Sequence, residues 1–65
     1  MKAVVKIGTV YKTGTWGNET YFESDEEYLI ETDDILKLER ALRKEYNGIY
    51  QIYTKHNGVV VACVY

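Results

Sequence analysis

Apolar side chains fall at Ala3, Val5, Ile7 and Tyr11, while Lys6, Gly8 and Lys12 take places between them; Thr9 is the weak member of the apolar set. A period of two is that of a strand with one face buried. Gly14, Gly17 and Asn18 then gather before Thr20-Tyr21-Phe22, which predicts a hairpin connection and a second strand over about residues 19–23. The next stretch reads two ways. Ser24 and Glu27 have the spacing of a helix capping box, yet Tyr28-Leu29-Ile30 suits a strand equally well, and a turn followed by a strand is the reading adopted.

Thr32-Asp33-Asp34 predicts the cap and first turn of a helix, because a threonine oxygen accepts from free amides and carboxylates complement the positive helix end. Ile35, Leu38, Leu42 and Tyr46 fall on one helical face with Ala41 beside them, and Asn47-Gly48 is the expected stop. Beyond it, residues 49–55 and 59–65 flank His56-Asn57-Gly58, a strong hairpin signal. With Asn57 and Gly58 as a two-residue loop, Thr54 would oppose Val61, Ile52 would oppose Cys63 and Tyr50 would oppose Tyr65. Tyr53, Val60, Ala62 and Val64 would then share the other face with Gln51 and Lys55. The last strand is apolar on both faces, as a central strand covered on both sides would be. The expected architecture is α+β: a small antiparallel sheet of about four strands, in ββαββ order, with one amphipathic helix on one face. Nothing divides the chain, so residues 1–65 are expected to form a single domain.

Length limits what such a domain can do. A chain of 65 residues buries only about 60% of the surface it exposes when unfolded, so the core is thin and a deep enclosed site is not expected. Cys63 is the only cysteine and His56 the only histidine, which leaves no disulfide framework and no Cys/His metal set. No cofactor is implied. A lone cysteine and the lack of a long apolar run suggest a cytoplasmic protein outside the membrane. Catalysis is not expected either. Ser24 is the only serine, His56 lies beside a tight turn, Cys63 alternates into a buried position, and no pocket separates the carboxylates.

Charge is the feature that composition alone would hide. The net charge is −2, but eight of the ten carboxylates lie between Glu19 and Asp34, where there is no lysine or arginine. Asp33 and Asp34 belong to helix-end chemistry. The remaining Glu19, Glu23, Asp25, Glu26, Glu27 and Glu31 are interleaved with Tyr21 and Tyr28 and follow Trp16. Carboxylates of this kind keep an exposed edge solvated and discourage edge pairing. They also form a candidate partner-binding surface, in which acids and aromatics imitate the phosphates and bases of a nucleic acid before the basic groove of a partner protein. The expected function is a non-enzymatic protein-binding module, an inhibitor in the style of compact phage or mobile-element proteins, which it resembles in composition alone.

Two alternatives stand beside that reading. Lys37, Arg40, Arg43 and Lys44 stripe the outer helix face and would touch phosphate weakly and without sequence readout. Their ordinary role is to complement the helix dipole, with Asp33–Lys37 and Glu39–Arg43 at a favourable spacing of four. Tyr53, Val60, Ala62 and Val64 would form an apolar face for a homodimer.

Overall fold

A computed structural model describes residues 1–14, 17 and 19–65 of the chain. Strands β1 (Lys2–Thr13) and β2 (Glu19–Glu31) precede helix α1 (Ile35–Glu45), which is followed by β3 (Ile49–Thr54) and β4 (Val60–Val64). The expected α+β class and ββαββ order are present, and the strands form one sheet in the order β2-β1-β4-β3. Both hairpins are antiparallel, but β1 and β4 pair in parallel at the centre of the sheet. All five residues of β4 are buried. A central strand has its side chains flanked by neighbours on both sides within each face, and β4, apolar on both faces, takes that place in the sheet.

On one face, Ala3 and Val5 of β1 and Val60, Ala62 and Val64 of β4 pack against Leu38 and Leu42 of α1, with Ile7, Ile30, Ile35, Tyr46, Ile49 and Ile52 around them. Ala41, expected beside this stripe, is exposed. The helix is capped by Asp34, whose Oδ1 accepts from the Leu36 N–H at 2.8 Å. Thr32 instead shapes the turn before it, accepting from the Asp34 N–H at 3.3 Å and donating to the Asp34 carbonyl at 3.0 Å. At the other end the helix stops at Tyr46, in extended conformation, whose N–H still reaches the Leu42 carbonyl at 2.9 Å. Gly48 is not a left-handed stop. Its Cα lies against the Tyr65 ring, and a Cβ there would meet the hydroxyl oxygen at 2.7 Å. Tyr65 completes this clasp by accepting from the Asn47 N–H at 2.8 Å and donating its own N–H to the Gly48 carbonyl at 3.2 Å.

Two expectations about strands need correction. The stretch from Ser24 to Glu27 is not a turn. β2 runs unbroken through it, with Glu26 opposite Ile7, Ser24 opposite Gly8 and Asp25 as the extra residue of a β-bulge. In the second hairpin the loop has three residues rather than two. The Gly58 N–H donates to the Lys55 carbonyl at 3.0 Å and the Lys55 N–H to the Val59 carbonyl at 2.9 Å, with only Gly58 at positive φ (82°). One added loop residue shifts the register by one. Thr54 opposes Val60, Tyr53 opposes Val61, Ile52 opposes Ala62 and Gln51 opposes Cys63, which replaces every pairing expected from a two-residue turn.

β4 pairs with β1 only from Ala3 to Ile7, so β1 and β2 continue past the sheet as a two-stranded ribbon. Gly8 stands where that ribbon departs. A Cβ at this position would overlap the Glu23 carbonyl oxygen and come within 2.9 Å of the Phe22 ring. Farther along, the Phe22 ring stacks on Tyr50 with centroids 5.5 Å apart, and the Tyr50 hydroxyl donates to the Thr20 carbonyl at 3.4 Å. Since β2 and β3 are opposite edges of the sheet, this contact requires the ribbon to lean across the sheet end.

Candidate functional site

The acidic segment becomes a sheet edge. Glu19, Glu23, Asp25, Glu26, Glu27 and Glu31 all lie on β2, all are exposed, and β2 has a strand on one side only. Pairing divides them between two faces. Glu26 shares the helix-covered face with Tyr28 and Ile30, because these oppose Ile7, Val5 and Ala3; Glu27, Leu29 and Glu31 oppose Lys6, Val4 and Lys2 on the other face. The segment is therefore a strip around an edge.

Local bonds hold parts of this strip. The Tyr28 hydroxyl donates to the Glu26 carboxylate at 2.8 Å, and that bond, followed by the charge of Glu26, raises the Tyr28 pKa. Tyr21 stacks on Tyr11 with centroids 5.1 Å apart. The Thr9 hydroxyl donates to Asp25 at 3.5 Å, and Glu31 lies 3.7 Å from the Met1 ammonium. Among the described residues, Glu19, Glu23, Asp25, Glu26 and Glu27 make no ion pair. Their charges point to solvent. Trp16, the remaining member of the expected surface, lies outside the described residues.

The cationic helix face is half neutralised by its own helix. Lys37 pairs with Asp33 at 3.6 Å and Arg43 with Glu39 at 3.0 Å, while Arg40 and Lys44 make no ion pair among the described residues. These are the spacings of four at which helices pair charges on their own surface. Two unpaired cations are a small footprint for a phosphate backbone, whose binding strength grows with each phosphate neutralised.

The expected dimer face does not exist as one surface. Val60, Ala62 and Val64 point into the helix-covered core and are essentially inaccessible, whereas Tyr53 lies on the opposite face. The one-residue shift in register is the cause. On that opposite face, pairing sets Leu29, Val4, Val61 and Tyr53 in one row across the four strands. Leu29 is 67% exposed, the highest value among the described large hydrophobic residues, although Val61 in the middle of the row is fully covered. Sequence reading missed Leu29 as an exposed residue and Val4 as its half-buried neighbour. Their signal was alternation with Lys2, Lys6, Glu27 and Glu31, which becomes informative only once the pairing is known.

Groups with chemical potential elsewhere stand apart from one another. His56 lies in the β3–β4 loop beside a shallow depression lined by Tyr53, Thr54, Lys55, His56 and Asn57. Cys63 is buried on the face away from the helix, where burial pushes its thiol pKa up and Lys6 pulls it partly back. Among the described residues no three His, Cys, Asp or Glu side chains gather as metal ligands, and no helix is long and apolar enough to cross a membrane. Comparison of the chain with protein-family models, curated proteins and solved structures returns no match.

Proposed function

We propose that this protein is a non-enzymatic binding module whose acidic β2 edge docks on the basic surface of a partner protein and blocks it. The observation that carries this reading is the placement of six exposed carboxylates with Tyr21 and Tyr28 along one edge strand, five of them without an ion-pair partner among the described residues. The strand extends for about 40 Å at a rise of 3.3 Å per residue, long enough to lie along a groove. Such a field steers encounter, and the exposed tyrosine rings supply the apolar contact that slows release.

The test is affinity capture from host extract on the immobilised protein, beside the variant carrying Glu26→Lys, Glu27→Lys and Glu31→Lys. A partner retained only by the unaltered protein is expected to associate at least about tenfold more slowly when salt screens the field. A partner bound equally by both proteins, at a rate indifferent to salt, overturns the reading.

A further inference from the structure

Seen from the side away from the helix, β1 and β2 display a two-column pattern. Down β2 stand Glu31, Leu29 and Glu27; beside them down β1 stand Lys2, Val4 and Lys6, each opposite its neighbour in register. One column reads negative, apolar, negative, and the other positive, apolar, positive. Although they are cross-strand neighbours, Lys2, Lys6 and Glu27 make no ion pair among the described residues, and Glu31 is approached only by the Met1 ammonium. Leu29, between the two glutamates, is the most exposed of the described large hydrophobic side chains.

We infer that this face is a self-complementary surface for a second copy of the chain. A two-fold axis parallel to the strands, running between β1 and β2, lays the β2 column of one copy over the β1 column of the other. Glu31 then meets Lys2 of the second copy, Glu27 meets Lys6 and Leu29 meets Val4, and each contact occurs twice, as an isologous interface requires. The competing two-fold axis, perpendicular to the strands, sets Lys2 over Lys6 and Glu31 over Glu27. Like charges oppose that arrangement, so the charge pattern selects one geometry. Packing of two sheets with aligned strands is an ordinary arrangement for such faces.

The patch is small. Six side chains from each copy compare with roughly 20–30 in a standard interface, so the association is weak and must be sought at high protein concentration. Leu29 and Val4 supply the burial, and the exposed ion pairs set orientation more than strength. The inference stands apart from the proposal of a basic partner, because it concerns this chain alone. It uses two of the same residues, Glu27 and Glu31, so a dimer would compete with a partner for them.

Sedimentation equilibrium over a wide concentration range tests it. The average mass is expected to rise toward that of a dimer with concentration, and Leu29→Glu is expected to remove that rise. Lys6→Glu and Glu27→Lys, each alone, are expected to stay monomeric, because each gives one row the same charge in both columns. An equimolar mixture of the two is expected to recover the dimer, since a doubly negative row then faces a doubly positive one. Circular dichroism establishes that each variant is folded; if Lys6→Glu is not, Lys2→Glu with Glu31→Lys repeats the test at the outer row. An unaltered protein that stays monomeric throughout, single variants that dimerise as before, or a folded mixture that remains monomeric overturns the inference.

Discussion

Gly8 stands where the sheet ends and the ribbon begins, and the absence of a side chain there lets the Glu23 backbone and the Phe22 ring approach β1. Gly8→Ala places a carbon on a backbone oxygen that cannot swing aside, and is expected to destabilise the fold by roughly 1–3 kcal/mol, read from urea unfolding. Cys63 illustrates burial acting on a titrating group. The fold favours the neutral thiol, so the unfolded chain loses the proton at lower pH. The stabilisation is whole below the ordinary thiol value of 9.0 and is lost as pH rises through the elevated one. Between 9.0 and the elevated value, unfolding midpoints are expected to fall more steeply with pH for the unaltered protein than for Cys63→Ala, whose difference isolates the thiol from the lysines and tyrosines that titrate nearby. Burial of Cys63 was legible from its alternation along an apolar strand. The need for glycine at position 8 was not, because the atoms that crowd it belong to residues on another strand.

Helix α1 shows how much an element reveals of itself. Its apolar stripe and its acid-then-base pairs were readable because both depend only on spacing along the chain. The capping residue was less legible, since Thr32 and Asp34 are both suitable caps and the choice follows from how the chain leaves β2. Asp34→Ala is expected to cost about 1 kcal/mol, whereas Arg40→Glu, on the outer face without an ion pair among the described residues, is expected to change stability by less than about 0.5 kcal/mol; thermal unfolding compares the two. The β3–β4 hairpin carries the opposite lesson. Asn57-Gly58 announces a turn, but two-residue and three-residue loops use the same residues and differ by one in register. Packing decides between them. Only the observed pairing puts Ile52 beside Ala62 on the helix side and leaves Gln51 and Tyr53 on the other.

The whole molecule extends 42 Å along its longest axis, comparable with the length of β2, and only the part of the β1–β2 hairpin beside β4 belongs to the helix-covered core. Beyond Ile7, the Phe22–Tyr50 stack and the bond from Tyr50 to Thr20 tie the ribbon to the far edge of the sheet. Phe22→Ala is expected to speed hydrogen exchange at amides of residues 9–13 and 20–24 while amides of β4 keep their protection; uniform acceleration throughout the sheet would show that ribbon and core unfold as one unit. Periodicity, turn chemistry and charge order are local, so the helix, the ββαββ order, the two hairpins and the concentration of carboxylates in one segment were legible along the chain, whereas the length of β2 was not. Tertiary structure alone decided that β4 lies between β1 and β3, that Val60, Ala62 and Val64 face the helix, and that Glu27 and Glu31 flank Leu29 opposite two lysines. Those outcomes depend on register between segments distant in the chain, and a shift of one residue exchanges the two faces of a strand.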